Sequence, residues 1–220
     1  MANNFKNAVL RNISADSTLP TEIYKAPNSK KAIAIEIDVA NKSTAGVTVT
    51  VQLEDESANL AGTTAQQVST VATNTTGLLT TTASAAHNLI VNDRVLFNVS
   101  SAPSFTDASL PPSAETALSV LRFYYVQSVP TTATFTIAET RSAASPQSFD
   151  TAGTAVEFKK IHLADLIKDA PIPVGGTLKV ISGQKIVMES AVAGANDKLY
   201  AYTSSTSSVD VIASVLQDVS

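Results

Sequence analysis

The chain has 220 residues, of which 44% are hydrophobic and 15% charged, a formal net charge of -4, no cysteine, no tryptophan and two histidines. That length and apolar fraction permit a packed core and exclude disorder of the whole chain. The missing cysteines exclude disulfides, thiolate metal sites and cysteine nucleophiles, and the acidic balance argues against a phosphate-binding surface, so no nucleic-acid partner is expected.

In chain order, the opening MANNFKNAVLRNIS lacks the charged and apolar regions of a secretion signal. No apolar run approaches the ~18 residues of a membrane helix, so a product made without export and without a membrane partner is expected. KKAIAIEIDVANKS alternates, which predicts a half-buried strand with Ile33, Ile35, Ile37 and Val39 on one face and Ala34, Glu36 and Asp38 on the other. AGVTVTVQLEDES repeats the pattern with Val47, Val49, Val51 and Leu53 inward, and NKSTAG between the two reads as the loop of an antiparallel hairpin.

From about Ser57 to Glu157 the composition shifts to Thr, Ser and Ala around a tighter strand set, GLLTTTA, DRVLFNV, RFYYVQSV and ATFTIAE. Such a shift on both sides predicts a domain inserted into a loop of another. SAETALSVL and HLADLIKD carry short, marginal helical periodicity. Beyond them, DAPIPVGGTLKVISGQKIVMES places Pro171 and Pro173 before Gly175 and Gly176, a turn feeding two short strands around Ser182 and Gly183. DKLYAYTSSTSSVDVIASVLQDVS gives two more strands, so this end reads as a β-meander. The expected fold class is therefore all-β: an antiparallel β-sandwich built from residues 1–56 and 158–220, with a second small β-barrel inserted as residues 57–157.

The outer segments resemble a family of small bacteriophage virion proteins. The residues that carry the resemblance are the MANNFKNA start, YKAP at Tyr24 to Pro27, VANKS through VTVTV at Val39 to Val51, DAPIPVGGTLKVI at Asp169 to Ile181, KIVMES at Lys185 to Ser190 and VDVIASVL at Val209 to Leu216. The inserted segment is similar to a small β-barrel repeat of phage tail and fibre proteins, and in pattern to the barrel beside the first catalytic half-domain of ubiquitin-activating enzymes. It matches through AHNLIVNDRVLF, LP, FYYVQSV and TFTIAET, which put His87, Leu89, Asp93, Val95, Tyr124, Tyr125, Val126, Phe135 and Ile137 at pattern positions. Where that pattern has Gly-Asp, this chain has Asn92-Asp93, and asparagine tolerates the left-handed turn conformation. No ubiquitin chemistry follows, since that needs a cysteine.

Candidate chemistry is sparse. His87 and His162 fall in different expected domains, and no third histidine completes a zinc set. A helical HLADLIKD would bring His162, Asp165 and Asp169 to one face. Glu54, Asp55 and Glu56 form a carboxylate run that, joined by loop carbonyls, has the chemistry of a hard-cation site, although it lacks the spaced D-x-D-x-D-G loop. Phe123 and Tyr125, two apart on a strand, share a face as a sugar-stacking platform would, with core packing as the competing role. No nucleophile elbow, phosphate loop or dinucleotide fingerprint appears. The expectation is therefore no enzyme, no catalytic, cofactor or metal residues and no cofactor.

What the resemblance implies is an accessory structural protein of a tailed phage at a neck, baseplate, fibre-attachment or capsid-decoration position. Such a protein is assembled in the host cytoplasm, resides in the virion, partners other virion proteins and is itself homo-oligomeric. The alternative is a carbohydrate-binding module for host surface polysaccharide.

Overall fold

The computed structural model describes residues 4–56, 65–73, 77–81, 86–106, 115–181, 183–192 and 195–219. The chain divides into two compact units, Met1–Asn59 with His162–Ser220, and Leu60–Ile161. Strands β1 (Asn4–Leu10), β2 (Thr21–Lys25), β3 (Lys31–Asn41) and β4 (Val47–Glu54) open the first unit. The second holds β5 (Gln66–Val71), β6 (Leu79–Thr81), β7 (Arg94–Asn98), β8 (Phe123–Thr131), β9 (Thr134–Ala138) and β10 (Glu157–Ile161). The first then resumes with β11 (Leu163–Ile172), β12 (Thr177–Ile181), β13 (Ile186–Val192), β14 (Ala195–Asn196), β15 (Lys198–Thr203) and β16 (Val209–Gln217). The fold is all-β, and the strand pairs are antiparallel.

The first unit is a sandwich of two sheets. Sheet 1 runs β1-β16-β3-β13-β14 with β12 also against β3, and sheet 2 runs β11-β4-β15-β2. Ile37, Val39, Val211 and Ala213 from sheet 1 meet Val49, Val51, Leu199 and Ala201 from sheet 2 in one fully buried aliphatic core. Burying one such side chain is worth about 1.5–3 kcal/mol, which is why the alternating segments fold here as strands.

Three expectations about pairing are corrected. β3 and β4 do not form a hairpin, because they lie in different sheets. The NKSTAG segment is an arch between the sheets, held by buried Asn41, whose Nδ2 donates to the carbonyls of Ala45, Ile172 and Pro173 at 2.8, 3.1 and 3.1 Å. The expected meander is also an alternation between sheets: β11 and β15 belong to sheet 2, β12, β13 and β16 to sheet 1.

The third correction is to the face of β3. Ser214 pairs with Glu36 but Val215 with Ala34, so one extra residue, Ile35, sits in a bulge. Ala32 and Ala34 before it, and Ile37 and Val39 after it, point inward, while Ile33 and Ile35 are half-buried. A bulge shifts the strand's phase by one residue, which a strict period of two cannot register.

HLADLIKD is strand β11, not a helix. It pairs with β4 through two register shifts, between Asp165 and Ile167 and between Ile167 and Ala170. The turn after it is as read: Gly176 N donates to Pro173 O at 2.9 Å, and Gly175, at φ +64°, takes the left-handed position that a type II turn requires.

The second unit is a closed six-stranded barrel in the order β10-β5-β6-β9-β8-β7. The sequence reading found β6 to β9 and missed β5 and β10, the pair that closes it through Glu157 with Gln67 and Phe158 with Gln66. Since β10 belongs to the barrel, the boundary expected after Glu157 moves to Ile161. The expected first boundary at Ser57, the turn residue Ser182, and residues 107–114 with the LP of the barrel pattern lie outside the described residues. The barrel core is aromatic: Phe97 and Phe105 pack edge-on against Tyr124, with ring centroids 5.8 and 6.4 Å away, and Phe135 lies 4.8 Å from Phe158. Asn92 takes φ +74°, its N–H donates to Val126 O at 2.8 Å, and Asp93 pairs with Lys160 at 2.7 Å. The departure from glycine in this turn is therefore accommodated by asparagine.

Candidate functional site

A buried polar cluster lies at the end of β4 and the start of β15. The alternation that sends Val49 and Val51 into the core sends Thr50, Gln52 and Glu54 to the other face of β4, yet all three are buried. Lys198 Nζ donates to Glu54 Oε2 and to Glu56 Oε2, at 3.0 Å each. Burial alone pulls the Lys198 ammonium down, but the two carboxylates outweigh it and hold the group above the usual lysine range. Burial, then the charges of Glu54 and Glu22, push the Tyr200 phenol far up. The carboxylates read from sequence as a possible cation site thus share a cation the chain supplies itself.

Beside them Asp197 Oδ1 accepts from Glu56 N at 3.0 Å and Oδ2 from Glu189 N at 2.8 Å, so one carboxylate ties β13 of sheet 1 to the end of β4 in sheet 2. Asn196, fully buried, donates to Ala26 O, Asn28 Oδ1 and Ser190 Oγ at 2.8 to 3.0 Å. Sequence reasoning missed Asn196, Asp197 and Lys198. The signal available was three consecutive polar residues abutting the apolar LYAY of β15.

The other candidate residues are separated or structurally engaged. Asp165 Oδ1 accepts from Gln52 Nε2 at 2.6 Å, and Asp169 N donates to Thr50 Oγ1 at 3.0 Å. The two register shifts of β11 set these residues against Gln52 and Thr50, two positions apart on β4, where each is held by a side chain of that strand rather than gathered with His162 on a helical face. His162 is half-buried, and its carbonyl accepts from Asp55 N at 3.2 Å.

His87 is buried in the barrel unit. Its Nδ1 accepts from Leu89 N at 3.0 Å, so the proton sits on Nε2, which faces the carbonyls of Thr131 and Thr134 at 3.2 Å. The ring packs edge-on to Phe135, 5.3 Å between centroids. It clamps the β8–β9 hairpin. We expect His87→Ala to destabilise the barrel by about 2–4 kcal/mol, since it leaves buried partners unpaired and opens a cavity. The measurement is a urea midpoint; a change below about 0.5 kcal/mol would show that the clamp carries nothing.

Phe123 and Tyr125 do share a face, as expected of a strand, but both are covered, at 3% and 7% exposure. The Arg94 guanidinium lies 5.2 Å over the Tyr125 ring. Tyr124 points the other way and is fully buried, its hydroxyl accepting from Ser119 N at 2.9 Å. Among the described residues no three His, Cys, Asp or Glu side chains are placed to hold a metal ion.

What the described surface does present is apolar residues on the outer face of sheet 1. Register aligns Phe5 with Leu216, Leu216 with Ile33 and Ile33 with Val187, a row across four strands. One side of β1 carries Phe5 and Val9, exposed by 68% and 56%, and Val9 stands opposite exposed Ile212.

No protein-family model matches the sequence, and no curated protein is similar to it. Among solved structures, the crystal structure of the infectious bursal disease virus VP2 subviral particle aligns at 12% identity and a TM-score of 0.12. The alignment covers 98% of this chain and 40% of that chain. A likeness at that level carries no argument about fold or function.

Proposed function

We propose that this chain is a non-enzymatic structural protein of a tailed-bacteriophage particle, present in several copies and held by β-mediated contacts at a neck, baseplate, fibre-attachment or capsid-decoration position. The observation that carries the reading is the apolar row on the outer face of sheet 1, exposed at Phe5 and Val187 and half-buried at Leu216 and Ile33. Isolated apolar residues are ordinary on a surface, but a row aligned across four neighbouring strands is the form an interface takes. The segments that carry the resemblance to virion proteins belong to the same sandwich, which agrees with the reading. The candidate polar side chains are meanwhile engaged in bonds within their own units.

The glycan-binding alternative needs an open ring on the barrel. Phe123 and Tyr125 do not supply it, and among the described residues the aromatic ring most open to solvent is Phe5, in the sandwich. The test is incorporation. Particles lacking the protein are supplied with the full chain, or with a variant whose residues 60–161 are replaced by a short Gly/Ser linker. The linker spans a small gap, since Glu54 pairs directly with Leu163. Incorporation of both is the expected result. Failure of both, with saturable binding of the barrel unit to host polysaccharide, would reverse the reading.

A further inference from the structure

Each sheet of the sandwich ends in edge strands, and most are protected. In sheet 2, β11 is broken by two register shifts, carries Pro171 and exposes Asp165, Lys168 and Asp169; β2 has five residues and its own register shift against β15. At the far end of sheet 1, β14 has two residues. Bulges, prolines, charges and shortness are the devices that stop an edge from pairing with another chain.

β1 uses almost none of them. It has seven residues, pairs with β16 without a register shift, contains no proline and carries one charge, Lys6. Among the described residues no strand pairs with its other side. It also bears Phe5: six of the seven phenylalanines lie in the barrel unit, and the remaining one stands 68% exposed on this edge.

We infer that β1 pairs antiparallel with β1 of a second copy of this chain, about a two-fold axis through Asn7. This deepens the multicopy reading above and rests on it for its biological setting. The register follows from side-chain pairing. A two-fold axis perpendicular to the sheet keeps outer residues outer, so the axis must pass through a residue. Through Lys6, it sets two lysines directly opposite each other, which is unfavourable. Through Ala8, it sets Asn7 against Val9 and runs Phe5 off the strand's end against Arg11. Through Asn7, Phe5 faces Val9 of the second copy twice, and each Lys6 faces an Ala8. Only this register pairs both exposed apolar residues, and it prolongs the Phe5–Leu216–Ile33–Val187 row into the second sheet. An edge of one strand per copy is small for a stable interface, so the dimer dissociates on dilution.

The test uses the full chain carrying Asn7→Cys. The protein has no cysteine of its own, so any disulfide is unambiguous. Directly opposed residues of an antiparallel pair have Cα atoms about 4.5–5.5 Å apart, within disulfide reach. Mild oxidation is expected to yield a covalent dimer from N7C, while Lys6→Cys, whose two copies lie diagonally across the pair, crosslinks several-fold less. Val9→Lys, at an exposed position, should weaken the parent dimer at least tenfold in sedimentation equilibrium with an unchanged circular dichroism spectrum. A parent chain that stays monomeric at high concentration, or an N7C variant that crosslinks no better than K6C, overturns the inference. If that chain nevertheless enters particles, the paired edge falls and the virion reading stands.

Discussion

Replacing Lys198 by methionine is expected to lower the stability of the sandwich by about 3–5 kcal/mol, the cost typical of removing one partner from a buried ion pair. Methionine fills the space of the lysine stem, so packing changes little. What changes is charge: Glu54 and Glu56, both buried and both bound to the same ammonium, are left facing each other. The pH dependence distinguishes this from a packing defect. In the parent, Lys198 and Tyr200 both have folded pKa values above their ordinary 10.5 and 10.0. Their contribution is therefore complete below about pH 10 and is lost as the pH rises through the folded values, which appears as alkaline unfolding. In K198M the lysine's share of that alkaline loss is gone, so the variant's stability falls less steeply than the parent's between about pH 9 and about pH 11. Urea midpoints of both proteins at the two pH values measure it. Equal slopes, or a K198M midpoint within about 0.5 kcal/mol of the parent at the lower pH, would sink the account.

Gly77→Ala is expected to cost the barrel about 3 kcal/mol or more, enough to unfold a marginal domain. Gly77 sits at φ +58°, and a Cβ built there lies 1.8 Å from Gln147 O, an atom of the main chain that cannot swing away. Two penalties combine, left-handed strain and a backbone clash. Gly175 separates them, because it has φ +64° but nothing within 4 Å of its Cβ position. Gly175→Ala should therefore cost only about 1 kcal/mol, the strain alone. Thermal unfolding of both variants gives the comparison, and equal losses would mean that the close approach to Gln147 is relieved at no cost.

The strands were legible wherever alternation was clean, and their partners were not. Val47, Val49 and Val51 announce a half-buried strand, and β4 does turn those valines inward, but its other face is covered too, at Thr50, Gln52 and Glu54. Nothing in an alternating segment says which neighbour it pairs with. NKSTAG is as able to cross between two sheets as to close a hairpin, and it was the side chain of Asn41, reaching carbonyls 131 and 132 positions away, that decided for the crossing. Ile35 escaped because a bulge is written in the partner strand's register, not in the strand's own pattern. β5 and β10 escaped because QQVSTV and EFKKI are polar on one side and short, too brief for a period to show. The polar cluster was half visible. The run at Glu54 to Glu56 stood out by charge, but its cation lies 142 positions or more further along, and a lone lysine among many surface lysines carries no local mark. The edge at β1 was hidden because NFKNAVL alternates weakly, with lysine and alanine on one face and asparagine among the apolar residues of the other.

The strand pairing of the sandwich also bears on how the chain can fold as it leaves the ribosome. β1 pairs with β16, β2 with β15, β3 with β12, β13 and β16, and β4 with β11 and β15. None of the first four strands has a partner among the other three, so the leading segment emerges with every ladder vacant and waits while the whole barrel is synthesised. At roughly 5–20 residues per second, that wait lasts on the order of 10 s. The barrel, whose strands all pair among themselves, has everything it needs to close during that interval. Closing joins β5 to β10 and so draws the two flanks of the insertion together, replacing a loop of about a hundred residues by a short one. The insertion thus doubles as the splint that lets β4 find β11.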